Sequence, residues 1–423
     1  MFDKPWSLAL TFVGDTVYLI GAGLNRVIME NFRKVSPPLI GEFFTVAARL
    51  EIFTKWDQTG LTEVFEYVEK YWHRDRTDLA SKPFDIEECI TFIESQIQEA
   101  DRDKNAEALK NLVTIRSKLR GLILSVLSQF SAHATMSMEL LTFGKLIWRQ
   151  KPTIITFNYD TFLEQGIEQA SGFNNDSVQL VAEYESRDPS KPLQASDKLL
   201  SYHSYNWNPK LAYGIKFDEV DLHIFGNEPV SGKDFYDYSE NQLYTWPILK
   251  LHGSINWFRY LPESILDDYV RKQIGRENES PREGFVLMNN PFSKVDDSFP
   301  TRGSWYLDPI IVPPTLFKHE TFGITDYGKI LYPLWKMARN ALSTCKKLIV
   351  IGYSFPPTDF EIKRVFREAF SENDLEELIV VDPNCDVAPR IKELTRFQGQ
   401  VTPYKNLRDF LLARCHDSDL TLL

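Results

Sequence analysis

Thr16-Val17-Tyr18-Leu19-Ile20-Gly21-Ala22-Gly23 is the stretch that decides the fold. A short, β-branched apolar run that stops at a glycine-bearing turn is how a buried strand hands over to a helix. Leu24, Val27 and Ile28 follow at helical spacing. The pair Pro37-Pro38 closes that helix, because a proline ring has no N–H and clashes with the preceding turn.

The same grammar recurs along the chain. Thr153–Phe157 runs into Asn158-Tyr159-Asp160, and Ile248–Leu251 into His252-Gly253-Ser254. Lys347–Ile351 runs into Gly352-Tyr353-Ser354, and Leu378–Val381 into Asp382-Pro383-Asn384. Pro309–Val312 ends at Pro313-Pro314 in the same manner. A helix carrying Leu331, Leu334, Trp335, Ala338 and Leu342 precedes one of these strands, and another begins near Asp359. Strands alternating with helices predict an α/β protein with a doubly wound, Rossmann-like parallel sheet.

Two sections interrupt this pattern. Residues 42–150 read as a helical insertion: Ile86, Ile90, Ile93 and Ile97 share one face, as do Leu109, Leu112, Val113, Leu119, Leu122, Ile123 and Val126. Ala100 to Asn105 reads as a hairpin connection or an exposed turn. Residues 171–245, rich in Ser, Asn, Asp and Tyr, read as an irregular β/loop insertion, with short strands expected at Gln179–Glu183, Ala212–Phe217 and Val220–Phe225. The core is then discontinuous, 1–41 with 151–170 and 246–400, followed by a helical tail at 401–423.

Composition narrows the function classes. A net charge of −11, from 48 Lys+Arg against 59 Asp+Glu, argues against a broad nucleic-acid-binding surface. Arg116, Lys118 and Arg120, like Lys145, Arg149 and Lys151, read either as solvated helix faces or as a local basic stripe, the first being the commoner case. Cys89, Cys345, Cys385 and Cys415 show no C-x-x-C spacing, so reduced thiols in a cytoplasmic protein are expected and no metal site is. His73, His133, His203, His223, His319 and His416 show no metal spacing either, with His319 kept as a pocket-rim residue. The start MFDKPWSLALTF is a poor signal peptide, and no apolar run approaches the ~18 residues that span a bilayer, so no membrane association is expected.

In a doubly wound sheet, ligands bind beyond the carboxyl ends of the strands. Gly21 and Gly23 are either simple turn glycines or residues that let backbone N–H groups approach a pyrophosphate. The third glycine of the dinucleotide fingerprint is missing, since Arg26 is followed by Val27. Ser354 offers a hydroxyl to a phosphate or ribose, and Asp382 or Asn384 a ribose or adenine contact, unless they merely cap helices or close Asx-turns. His252 is either a core histidine bonded to a carbonyl or a general base suited to neutral pH.

Taken in order, GAG, T-x-N-Y-D, L-H-G-S, I-G-Y-S and V-D-P-N resemble the sirtuin superfamily. Ile351–Asp359, IGYSFPPTD, is similar to the bacterial sirtuin-like NADase branch in particular. The resemblance implies that Asn158 and His252 are catalytic, and that Asp160 helps hold the nicotinamide end of NAD+. It makes Gly21, Ala22 and Gly23 the phosphate loop and Gly352 with Ser354 a second nucleotide loop, with Asn25 standing where the family often has serine. Asn158 and His252 are further apart in sequence than in deacetylases, and the paired C-x-x-C zinc module is absent. The implied activity is NAD+ glycohydrolysis to nicotinamide and ADP-ribose, in an abortive-infection effector of bacterial antiphage defence. Implied partners are further copies of the chain or a HerA-family ATPase. The alternatives are an NAD-dependent protein deacylase or ADP-ribosyltransferase, and a non-catalytic module that senses NAD or ADP-ribose.

Overall fold

The computed structural model describes residues 15–29, 35–52, 61–131, 137–171, 213–221, 230–231, 247–260, 284–288, 301–302, 305–312, 327–356, 359–383 and 387–415. Its centre is a six-stranded sheet built from β1 (Thr16–Ile20), β2 (Thr153–Thr156), β5 (Ile248–Lys250), β10 (Lys347–Ile351), β11 (Glu377–Val381) and β12 (Thr402–Tyr404). The order is β12-β11-β10-β1-β2-β5 and every pair is parallel. Val17, Leu19, Ile154, Leu348, Ile349, Leu378 and Val380 are all buried, as expected of strands covered by helices on both faces. The predicted α/β, Rossmann-like class is what forms.

β1, β2 and β5 succeed one another in one direction from the centre, and β10, β11 and β12 in the other. The reversal falls between β1 and β10, which opens a crevice at their carboxyl ends. The short helix α1 (Gly23–Ile28) leaves β1, α8 (Phe162–Ser171) leaves the β2 end, α10 (Phe360–Ala369) follows β10 and α11 (Val387–Thr395) follows β11.

Three expectations are corrected. The tail at 401–423 is not purely helical: β12 adds the edge strand before α12 (Leu407–Arg414). Pro403 is tolerated there because an edge strand need not donate on its outer side. The run at Pro309–Val312 does not join the parallel sheet. It lies in β9 (Trp305–Ile311), antiparallel to β6 (Gly253–Tyr260), in a second sheet with β3 (Glu219–Asp221), β4 (Val230–Ser231), β7 (Phe285–Met288) and β8 (Thr301–Arg302), ordered β4-β3-β7-β6-β9-β8. Within the irregular section, β3 includes the first two residues of the strand expected at Val220–Phe225, whose remainder lies outside the described residues, and 213–217 forms bends and irregular backbone where a strand was expected. The strand expected at Gln179–Glu183 lies outside the described residues.

A helical layer packs on this core: α2 (Phe43–Arg49), α3 (Thr62–Trp72), α4 (Arg76–Ser81), α5 (Ile86–Arg102), α6 (Ala106–Ser131) and α7 (Met138–Gln150), with α9 (Tyr327–Thr344) preceding β10. Residues 103–105 form the hairpin between α5 and α6, and the Ile86-Ile90-Ile93-Ile97 stripe is buried. Arg116, Lys118 and Arg120 are buried too, which overturns the solvated-face reading. Arg116 and Arg120 pair with Glu94, Arg120 also with Asp308, and Lys118 with Glu63. Cys89, Cys345 and Cys415 are free thiols. Among the described residues no helix is long and apolar enough to cross a membrane, and no group of three His, Cys, Asp or Glu could hold a metal ion.

Candidate functional site

The ends of β1, β2, β5, β10 and β11 open onto one cavity of about 430 Å³, within the ~300–1,000 Å³ range of small-molecule sites. Ala22, Gly23 and Asn25 line it after β1, Asn158 and Asp160 after β2, His252 after β5, Gly352 and Ser354 after β10, and Asp382 after β11. Gly21 stands behind this lining and contributes its carbonyl to Asn158. Asn384 and His319 lie outside the described residues. The helical layer closes the other wall with Pro38 to Gly41, Phe43, Glu87 from α5 and Leu127 from α6.

Asn158 is held by its amide nitrogen. Nδ2 donates to the Gly21 carbonyl at 3.2 Å and to Asn25 Oδ1 at 3.1 Å. Asn25 in turn donates from its own Nδ2 to Asp160 Oδ2. With that edge of the amide fixed, Asn158 Oδ1 is buried and without a hydrogen-bond partner, on a residue that is 9% exposed and lines the cavity. A buried acceptor left unpaired is costly unless something outside the chain pairs with it.

Asp160 uses both carboxylate oxygens within the chain. One carboxylate oxygen takes the Asn25 amide and the other the Phe162 N–H at 3.0 Å, capping α8. Its backbone carbonyl accepts from Lys250, whose ammonium also pairs with Glu164 at 3.0 Å. Burial pushes the Asp160 carboxyl above its ordinary range, outweighing the lowering by Lys250 and the Phe162 amide. Asp160 thus lines the cavity and also anchors a chain, Asp160 to Asn25 to Asn158, that sets one amide.

The glycine turn is tied to the turn after β10. Gly21 N–H donates to the Ile351 carbonyl and Gly23 N–H to the Gly352 carbonyl, both at 2.9 Å, so these amides stitch two turns together and do not project into the cavity. A Cβ on Gly23 would stand 2.7 Å from Gly352 Cα, and one on Gly352, whose φ is +60°, 2.5 Å from Leu24 N. Close approach of two backbones is what requires the glycines here. Beyond Ser354, Phe355 holds a φ of 53° while fully buried against Tyr353 and Phe366, and Arg390 donates to the carbonyls of both Ser354 and Phe355. Left-handed backbone at a bulky residue costs about 1–3 kcal/mol and persists where packing over-determines it.

His252 sits where the chain leaves the parallel sheet, two residues after β5 and immediately before β6. Its carbonyl accepts from Val312 N, and the ring meets Phe157 edge-on at 5.0 Å. Nε2 lies 3.6 Å from Asp359 Oδ2. Asp359 also accepts the Tyr353 hydroxyl, and Tyr353 stacks on Phe157 at 4.1 Å. Burial, and then the Asp359 charge, push the Tyr353 phenol well above its ordinary pKa, so it remains a donor at neutral pH. Tyr159 is raised in the same way by burial and by Glu87, to which it donates.

Asp359 and Glu87 were not foreseen as site residues. Asp359 read as a helix start, and a glutamate in the first turn of α5 is ordinary helix chemistry. With Asp160 and Asp382 they make four carboxyl groups around the cavity, and among the described lining residues His252 is the one side chain able to carry positive charge. That arrangement favours a cationic group. Set beside known proteins, the chain matches no family model and no curated protein.

Proposed function

We propose that the chain is an NAD+ glycohydrolase that splits the nicotinamide–ribose bond to give nicotinamide and ADP-ribose. The observation that carries this reading is the unpaired Asn158 Oδ1, buried in the same cavity as His252. An asparagine oxygen can orient a ribose hydroxyl or the attacking water without competing as a nucleophile. As the C1′–N bond breaks, its electron pair moves onto the pyridinium nitrogen and positive charge builds on the ribose. The surrounding carboxyl groups suit both the cationic ring and that transition state. Water then bonds to C1′, and its proton passes to the His252 imidazole. The setting proposed with this activity is an antiphage effector, kept silent until triggered, working with further copies of itself or with a HerA-family ATPase.

The engaged Gly21 and Gly23 amides and the lack of Lys or Arg among the described lining residues favour one variation. The preferred substrate would then be nicotinamide riboside, which carries the same scissile bond without a pyrophosphate. Incubation with NAD+ or with nicotinamide riboside, following released nicotinamide by chromatography, distinguishes them. Asn158→Ala and His252→Ala should each lower the rate by roughly 10²–10³-fold. Tight NAD+ binding with no nicotinamide release under any trigger would sink the proposal.

A further inference from the structure

Asp359 is 1% exposed at the start of α10. A carboxylate taken so far from water is strongly disfavoured unless it is paired and hydrogen-bonded. Two groups meet it at one oxygen: the Tyr353 hydroxyl donates to Oδ2, and His252 Nε2 lies 3.6 Å from the same atom. These three residues come from the β10 turn, the start of α10 and the β5–β6 corner. Their meeting is a product of the fold and not of local sequence.

We infer that Asp359, held by Tyr353, is a positioning residue for His252, turning the imidazole into a base of fixed tautomer. With Nε2–H directed at the carboxylate, the lone pair of the neutral ring falls on Nδ1. Once that nitrogen takes a proton, the imidazolium is stabilised by the charge beside it. A separation of 3.6 Å is long for a hydrogen bond and ordinary for an ion pair, so the contact tightens as the ring becomes charged. The role assigned to the imidazole rests on the glycohydrolase reading; the pairing does not.

Other groups face the imidazole. The Tyr159 ring lies 6.2 Å away, and Glu87 from α5, Asp160 after β2 and Asp382 after β11 line the same cavity. All of them persist when Asp359 alone is changed, so a shift on that change reports Asp359.

The test is a titration of His252 by NMR in the substrate-free, histidine-labelled protein, with its resonance assigned by its loss in His252→Gln. Asp359→Asn should lower the His252 pKa by on the order of one unit, because the imidazolium loses its counter-charge. Tyr353→Phe keeps the stack on Phe157 but removes the donor, leaving a more basic carboxylate, and should raise that pKa. In nicotinamide release, Asp359→Asn should shift the acid limb of the kcat profile to lower pH and reduce kcat, with KM little changed. An unmoved His252 pKa in Asp359→Asn overturns the inference, and if that variant fails to fold, an unmoved or lowered pKa in Tyr353→Phe does so. Should the titration shift while the wild-type chain releases no nicotinamide, the pairing stands and the glycohydrolase reading falls.

Discussion

Gly253 carries a φ of +87°, and a Cβ there would stand 2.0 Å from the Ile310 carbonyl oxygen. The glycine after His252 is therefore explained by the corner itself: the chain turns from β5 into β6 with β9 pressed against the turn. Gly253→Ala should destabilise the protein by at least about 2 kcal/mol, since both the backbone conformation and the close contact oppose a side chain. Urea unfolding measures this, and a variant with the wild-type midpoint and slope would refute it. The same residue shows how far single positions were legible. His252 and Asn158 could be picked because each follows an apolar run at a strand end. Asp359 and Tyr353 could not be matched to His252, because their contact is made across about a hundred residues of chain that carry no local signal.

Among the elements, α6 departs furthest from its sequence pattern. Three cations in five residues look like a helix face turned to water, yet Arg120 is 0% exposed. It reaches Glu94 on α5, Asp308 on β9 and the Tyr327 hydroxyl on α9. Arg259 from β6 approaches Asp308 at 3.4 Å. Burial alone would raise the Asp308 pKa, but Arg120, Arg259 and Arg116 together hold it below the ordinary carboxylate range. This network ties the helical layer to the second sheet, so the helical insertion shares one buried polar junction with strands from the section read as parallel core. Charge spacing cannot disclose a partner 188 residues away. Asp308→Asn leaves two guanidinium groups under-compensated and should cost about 3–5 kcal/mol, read as a lower urea midpoint. Asp308→Leu combined with Arg120→Met should recover part of that loss, and a single variant as stable as the wild type would show that the junction contributes nothing.

For the molecule as a whole, the parallel sheet was readable because each of its strands but β12 is an apolar run ending in a polar or glycine-bearing turn. The second sheet was not, because β6 and β9 are also apolar runs and periodicity does not say which sheet a strand joins. The helical layer was legible as helices but not as a wall of the site. Its placement changes what ligand binding should do. The cavity opens at the β1/β10 reversal, yet Glu87, Leu127 and residues 38–41 close it from the opposite side. A ligand that pairs with Asn158 Oδ1 must therefore touch the parallel sheet and the helical layer together. Hydrogen exchange with and without NAD+ should accordingly show added protection in three places at once: the turns at 22–25 and 157–160, the 352–356 turn, and the segment at 38–43 with the start of α5. The helical protection is the discriminating part, because a nucleotide held only by the strand ends would leave 38–43 and Glu87 exchanging as before. Protection confined to the strand-end turns would detach the helical layer from the site and leave Glu87 without a role in binding.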